Sequence, residues 1–205
     1  MTVDTRLPRM RMALAEEITD IDLAALQGSW SVEQYLRLTD QTNRLIEYSD
    51  GRIDVLPTPA ENHQAVLEGL FLALRAFIKP LGGKVRFAPL RLMVRDGKFR
   101  EPDILLLQDA GDPRRQNRNW LGADLVVEVV SEDNPERDII TKRTDYAQAG
   151  ILEYWIVNPL NETLTVLELR GETYVERGIF SRGQYAASKL LEGFGVSVDE
   201  VFDAI

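Results

Sequence analysis

The sequence predicts a mixed α/β domain of the α+β type, in which a central β-sheet is flanked by helices. Two Asp-Gly dipeptides, Asp50-Gly51 and Asp96-Gly97, each separate two short apolar runs, which is typical of β-hairpins. Apolar residues between Val66 and Ile78 recur at steps of three and four, which indicates a long amphipathic helix. Further short apolar runs alternate with helical segments, as expected for a sheet covered by helices.

The chain begins with a segment that we assign to an N-terminal arm. Residues 1–28 carry mixed charge without sustained periodicity, and we interpret them as a flexible arm or a short packing helix, with the main domain at residues 29–205. Ser31 followed by Gln34 matches a capping box, which predicts a short helix over Val32 to Leu38. The hairpin around Asp50-Gly51 comes next.

After the long helix, the apolar runs predict the strands of the sheet. Three strands are expected in KVRFA, LRLMVR and PDILLLQ, and residues 109–119 form a polar loop. The run LVVEVVS then predicts a strand that is buried on both faces. Asn134 caps the following helix, with Pro135 at its first position and Gly150 just past its end.

The last part of the chain predicts a smaller set of elements. EYWIVNP and TLTVLEL form a strand pair around a turn at Pro159 to Asn161, followed by a strand near Tyr174 and a short helix near Val198 to Phe202.

Composition limits the classes of protein and of site. The 205 residues contain no cysteine, which excludes disulfides, thiolate zinc sites and thiol nucleophiles, and which favours the reducing cytoplasm. No apolar stretch is long enough to span a bilayer, and the first residues lack the apolar core of a signal peptide, so we expect no membrane association.

The charge balance bears on nucleic-acid binding. The sequence contains 24 Lys and Arg and 33 Asp and Glu, and the resulting net charge of -9 repels a polyanion unless the cations are clustered. Two clusters stand out in the sequence: Arg91, Arg95, Lys98 and Arg100, and then Arg114, Arg115 and Arg118. A local basic face is therefore compatible with the sequence, with the Arg114 to Arg118 loop as the candidate for phosphate contact.

Two carboxylates occupy positions where apolar residues are expected. Glu128 lies inside the run of Leu and Val that predicts a buried strand, and Asp103 stands at the start of ILLL. An ionised carboxylate in such a place costs several kcal/mol unless a cation or hydrogen-bond donors compensate it. A divalent cation bound by both oxygens would do so, and magnesium suits few carboxylates and several waters.

A lysine and a third carboxylate extend this candidate site. Asp138, Lys142 and Tyr146 follow one another at four-residue steps in the predicted helix, so they share one face. An ammonium at Lys142 would lean over the strand end, orient a water and stabilise charge developing on a phosphoryl group. Glu47 in the first hairpin is a further candidate ligand, with a solvated hairpin face as its alternative.

Several motifs then follow in one order along the chain: EYSDGRIDVLPTP, ENHQAV, the pair Pro102-Asp103, LVVEVVS, the spaced Asp138, Lys142 and Tyr146, and AGILEYWIVNP. In this order they resemble the Uma-type family of "putative restriction endonucleases", within the PD-(D/E)XK nuclease superfamily. The resemblance covers roughly residues 30 to 160 and continues more loosely to the end.

The resemblance implies a restriction-endonuclease-like mixed central sheet flanked by helices, with an added N-terminal helix and hairpin. It also implies hydrolysis of DNA phosphodiester bonds with Mg²⁺, or Mn²⁺ in its place, held by Asp103 and Glu128. The superfamily pattern places a lysine two residues after the Glu, where this chain has Val130, and the family's displaced lysine matches Lys142. Glu47 would assist the site as a further metal ligand. Symmetric cleavage of both DNA strands favours a homodimer.

Other interpretations remain open at this stage. Val130 and the acidic net charge are also compatible with a catalytically silent interaction protein that keeps the nuclease fold. Glu128 and Lys142 can form a plain internal ion pair, and Asp103 alone would be a turn residue. A carboxylate-pair glycosidase would need an aromatic sugar platform that the sequence does not offer. His63, the only histidine, is expected to cap or decorate the long helix, outside the site.

Overall fold

The computed structural model describes residues 9–14 and 17–204, with side chains from residue 25 onward. The strands of these residues are β1 (Arg9–Leu14), β2 (Glu17–Asp22), β3 (Ile46–Ser49), β4 (Arg52–Val55), β5 (Lys84–Phe87), β6 (Leu92–Arg95), β7 (Lys98–Arg100), β8 (Ile104–Leu107), β9 (Leu125–Val129), β10 (Glu153–Asn158), β11 (Thr163–Arg170), β12 (Thr173–Phe180), β13 (Tyr185–Ala187) and β14 (Gly195–Ser197). The α-helices are α1 (Val32–Thr39), α2 (Glu61–Ile78), α3 (Lys142–Gln148) and α4 (Val198–Phe202).

A six-stranded mixed sheet forms the centre of the fold, in the order β12-β11-β10-β9-β8-β5. β9 and β10 are parallel and are joined by a crossover that contains α3, whereas the other neighbours are antiparallel. The predicted α+β class, with a mixed sheet flanked by helices, is therefore confirmed.

The central strands of this sheet are buried on both faces. In β8, Ile104 and Leu106 join the apolar cluster under α2 and α4, whereas Leu105 and Leu107 join the cluster under α3. This follows from the pleat, which sends successive side chains to opposite faces. A continuous apolar run such as ILLL suits such a strand, and a charged residue beside it needs a partner.

A second sheet of four strands, in the order β4-β3-β7-β6, packs beside α1. The predicted capping box is present, because Ser31 accepts from the Gln34 amide and the Gln34 side chain accepts from the Ser31 amide. In the core between α1 and this sheet, the rings of Tyr35 and Tyr48 stack, and the Phe99 ring packs tilted against both. Strand β7 was not predicted, because the segment KFR is too short and too charged to show a strand pattern.

The helix after β9 starts where Asn134 and Pro135 predicted, but it is not regular. Arg137–Thr141 form a π-helical turn before α3, in which the Lys142 amide bonds to the Arg137 carbonyl five residues back. Such turns are rare and occur frequently at functional sites. This one carries Asp138 and leads directly into Lys142.

The N-terminal segment differs from its prediction where the structure describes it. Arg9–Leu14 and Glu17–Asp22 pair as an antiparallel hairpin, and only Leu23–Leu26 form a single 3-10 turn. A packing helix is therefore wrong for residues 9–14 and 17–22, where the alternating RMRM run favours a strand. Residues 1–8 and 15–16 of the arm lie outside the described residues, and the domain boundary after residue 28 stays a prediction.

Among the described residues, no helix combines the length and apolar character that a bilayer span requires.

Candidate functional site

Asp103 and Glu128 lie opposite each other at one end of the central sheet. Ile104 of β8 pairs with Val127 of β9, so continuing this register by one residue places Asp103 across from Glu128. The Asp103 Oδ2 atom accepts a hydrogen bond of 2.7 Å from the Val129 amide, which fixes the carboxylate at the strand end. Both carboxylates are buried, with 8% and 2% of the residue surface exposed. The structure thus brings together the two residues that the sequence analysis singled out.

Lys142 reaches back from the start of α3 to Glu128. Its Nζ lies 2.9 Å from Glu128 Oε2 and 3.1 Å from Asp138 Oδ1, and the lysine is only 3% exposed. The Tyr146 hydroxyl donates to the other oxygen of Glu128. The helical face predicted from Asp138, Lys142 and Tyr146 therefore faces Glu128.

The charges in this cluster shift one another's pKa values. Burial raises the pKa of Glu128 well above its ordinary value, and the charges of Asp103 and Asp138 add to the effect although Lys142 opposes it. Burial lowers the pKa of Lys142, but Glu128, Glu47 and Asp138 outweigh burial and raise it overall. Lys142 is therefore protonated.

Glu47 lies behind Lys142. Its carboxylate is 3.6 Å from Lys142 Nζ and 3.3 Å from the Arg100 guanidinium, which also binds Asp145 at 2.7 Å. Residue Glu47 is 1% exposed, so it is not the solvated hairpin residue of the alternative interpretation. In this structure Glu47 contacts Lys142 and Arg100, and it does not line the cavity described below.

His63 contacts the site, contrary to the expectation of a cap or surface residue. Its Nε2 lies 3.2 Å from Asp103 Oδ2, and its side chain is 14% exposed. Burial lowers the pKa of His63, but the hydrogen bond and charge of Asp103 outweigh burial, so the pKa lies above its ordinary value. The sequence signal was the ENHQAV motif, but only the packing of α2 on the sheet shows what His63 touches.

Glu101 is a second residue that the sequence analysis missed. It is 4% exposed, and its Oε2 accepts a hydrogen bond of 3.1 Å from the Ile46 amide. Burial raises the pKa of Glu101 to about 7, with a further contribution from Glu47. A position before Pro102 at a strand entry usually suggests a loop, so its burial was not visible in the sequence.

Most of these side chains line a cavity of about 510 Å³. Its charged lining comprises His63, Glu101, Asp103, Glu128, Glu132, Asp133, Arg137, Asp138, Lys142 and Glu162. Three buried polar atoms of the lining have no hydrogen-bond partner among the described residues: His63 Nδ1, Ser131 Oγ and Arg137 Nε. Buried polar atoms are usually satisfied, so unpaired ones in a cavity wall indicate a place for a polar ligand.

The residues present fit the protein's share of a magnesium site. Asp103 Oδ1 accepts no hydrogen bond from the described residues, and each oxygen of Glu128 keeps a lone pair beyond its one bond. No group of three or more His, Asp or Glu side chains is arranged as a metal site within residues 9–14 and 17–204. Two carboxylates with water and phosphate oxygens are nevertheless a usual magnesium arrangement.

The basic clusters that the sequence suggested are largely neutralised. Arg91 and Arg118 both bind Asp40, at 2.7 and 2.8 Å, and Arg114 binds Asp112 and Asp124. Arg95 pairs with Asp50, whereas Lys98 and Arg100 pair with Asp145. Most members of these clusters are therefore paired with carboxylates, and a phosphate-binding face at these clusters stays a prediction.

The fold is of the restriction-endonuclease-like type, with a mixed central sheet flanked by helices. A solved structure from Anabaena variabilis, described as a "putative nuclease belonging to DUF820", has a similar fold, with a TM-score of 0.72 and 18% sequence identity. The match covers 85% of this chain and 98% of that one. No curated protein matches the sequence.

The family itself is shown by sequence. Residues 32–199 match the Uma2 family, which is described as "Putative restriction endonuclease". The chain belongs to this family. The match begins at the first residue of α1, and it includes all the site residues described above.

Proposed function

We propose that this protein is a magnesium-dependent endonuclease of the PD-(D/E)XK superfamily that hydrolyses phosphodiester bonds in DNA. The observation that carries the proposal is the meeting of Asp103 and Glu128 across β8 and β9, with Lys142 Nζ 2.9 Å from Glu128, in the wall of an open cavity. Family membership supports a nuclease.

The residues have distinct roles in this proposal. Asp103 and Glu128 would hold the ion, and His63 orients Asp103. A bound Mg²⁺ or Mn²⁺ neutralises phosphate charge and lowers the pKa of a coordinated water. Lys142 takes the place of the motif lysine that is absent at Val130, and its protonated Nζ orients the water and stabilises charge on the phosphoryl group. Glu47 positions Lys142 from behind.

Arg137 is the proposed contact to the substrate phosphate. It forms no ion pair with the described residues, its Nε has no hydrogen-bond partner among them, and it lines the cavity beside Asp138. The Ser131 hydroxyl, which also has no hydrogen-bond partner in the described part of the chain, lies in the same wall. A guanidinium and a hydroxyl suit a phosphate oxygen, which accepts hydrogen bonds and carries negative charge.

Two further parts of the proposal rest on chemistry outside the site. Cleavage of both strands of a duplex is most simply achieved by two symmetric active sites, so we propose a homodimer. The absence of cysteine supports a cytoplasmic location.

The test is a plasmid-nicking assay with magnesium or manganese. Asp103→Asn should abolish nicking, because the amide still accepts the Val129 hydrogen bond but lacks the charge that a cation needs. Asp96→Asn, at the exposed turn between β6 and β7, is the matched control and should nick like the natural protein. Equal nicking by Asp103→Asn and the natural protein would overturn the proposal.

A catalytically silent interaction protein with the same fold is the second candidate. It is favoured by the closed ion pair between Lys142 and Glu128, and by Val130 at the usual lysine position. Calorimetric titration with manganese separates the two candidates. Binding that is lost in Glu128→Gln supports the nuclease, whereas an absence of binding, or binding unchanged in the variant, supports the silent protein.

A further inference from the structure

Five cations gather on one edge of the molecule without acidic partners. Arg75 and Lys79 lie at the end of α2, Lys84 and Arg86 on β5, and Arg115 in the loop between β8 and β9. We call these five residues the edge patch. None of them forms a salt bridge with a described residue, although the chain has nine more acidic than basic residues.

The patch contrasts with seven arginines elsewhere in the described part of the chain. The arginines at positions 91, 95, 114, 118, 170, 177 and 182 each bind a carboxylate. Within the patch, by contrast, the cations repel one another. The pKa of Lys84 lies below its ordinary value chiefly because of Arg86, and that of Arg86 is lowered by burial and then by Arg115 and Arg75.

The repulsion between these cations costs free energy, and an anion bound over the patch would offset that cost. Arg75, Lys79 and Arg86 are exposed, and with Lys84 they surround a surface cavity of about 270 Å³. A net charge of -9 disfavours the approach of a polyanion unless cations are clustered locally. The patch is such a cluster, and a polyanion can approach the protein there.

The edge strand β5 runs from the patch towards the candidate site. The amide of Ala88, the residue after β5, donates a hydrogen bond of 3.1 Å to the Asp103 carbonyl. At about 3.3 Å per strand residue, Arg86 lies about 7 Å and Lys84 about 13 Å along the strand from that point. Phosphates of one DNA strand advance about 3.4 Å along the helix axis per base pair, so these distances correspond to roughly two to four base pairs.

We infer that the edge patch binds the phosphate backbone of duplex DNA within about one helical turn of the bond that is cut. The inference deepens the proposed function and rests on it for the choice of DNA. The patch would supply affinity and fix the position of the duplex, because phosphate contacts orient a protein on DNA without reading its sequence.

The test measures binding apart from cleavage. A labelled DNA duplex is titrated with protein in EDTA at several salt concentrations, using the natural protein, Arg75→Gln/Arg86→Gln and Asp103→Asn. The control is Arg170→Gln/Arg177→Gln, which changes the net charge equally but removes arginines that pair with Glu168 near the opposite edge of the sheet. All four arginines lie on the surface or near it, so both double variants should fold.

The patch variant should bind roughly tenfold more weakly at low salt, and the slope of log K against log salt should fall by about two. The control double variant should bind within about twofold of the natural protein. Asp103→Asn should bind at least as tightly as the natural protein, because it removes a negative charge near the duplex.

Equal affinity and slope for the two double variants would overturn the inference, as would binding of duplex RNA but not of duplex DNA. The outcome is separable from that of the nicking assay. Patch-dependent binding without nicking would contradict the proposed hydrolysis and leave the patch assignment intact, whereas nicking without patch-dependent binding would do the reverse.

Discussion

At the scale of single residues, the site is a set of buried charges that compensate one another. Lys142 is nearly completely buried, and it lies within 3.6 Å of Glu128, Asp138 and Glu47. Desolvating each of these groups costs several kcal/mol, so each depends on the others. Removal of the one ammonium should therefore affect the stability of the fold as well as any activity.

We predict that Lys142→Met lowers the free energy of unfolding by about 3–5 kcal/mol, because it leaves buried carboxylates without their cation. Adding Glu128→Gln to this variant should recover part of the loss, with a coupling free energy of roughly 1–3 kcal/mol. Urea denaturation at neutral pH in EDTA measures both. Costs that simply add in the double variant would contradict the contact between the two side chains.

At the scale of elements, the site depends on how helices and loops are fixed against the two sheets. Asp40, the C-cap of α1, binds Arg91 before β6 and Arg118 in the loop before β9. This joins three segments that are far apart in sequence. The hydrogen bonds from Arg118 and Arg91 hold the pKa of Asp40 below its ordinary value.

The depressed pKa of Asp40 predicts a pH dependence. A carboxylate with a lowered folded-state pKa stabilises the fold above its unfolded pKa of 3.8, and the contribution is lost as the pH falls through the folded value. Asp40→Asn should therefore have a lower free energy of unfolding than the natural protein near neutral pH, by up to about 1 kcal/mol since the pair is partly exposed. The difference should shrink below about pH 4. Thermal melts across this pH range measure the difference, with Glu176→Gln as the control. A stability difference between Asp40→Asn and the natural protein that stayed constant with pH would contradict the pairing.

At the scale of the whole molecule, the central sheet supports the site by being buried on both faces. The helix α2, which carries His63, packs on one face of the sheet. The helix α3, which carries Lys142, packs on the other face. Asp103 and Glu128 extend from the strands between them. Both apolar clusters are therefore needed to bring the site together.

We predict that Leu105→Ala and Leu106→Ala destabilise the protein to a similar extent, although their side chains enter different clusters. Both residues are fully buried, and a cavity of this size costs about 2–5 kcal/mol. Val175→Ala, at an exposed position on β12, should change the stability by less than about 0.5 kcal/mol. Urea denaturation tests this, and a negligible loss for either leucine variant would contradict a sheet with two buried faces.

Much of the fold was predictable because its signals are local. Turns at Asp50-Gly51 and Asp96-Gly97, the periodicity of α2 and the capping box of α1 depend on residues close in sequence. Short strands such as β7, β13 and β14 were missed, since three residues do not establish a pattern. The π-helical turn has no sequence signal that we can identify.

The sequence by itself determined that carboxylates at Asp103 and Glu128 would be buried, because the apolar runs beside them belong to a sheet interior. Helical spacing already suggested Lys142 as a partner of Glu128, but only the tertiary structure decided the full set of contacts: His63 on Asp103, Lys142 and Tyr146 on Glu128. It also neutralised the arginine clusters of the sequence and assembled the edge patch from three separate segments. The physical reason is that burial follows from local patterning, whereas charge pairing depends on distances between elements that only packing sets.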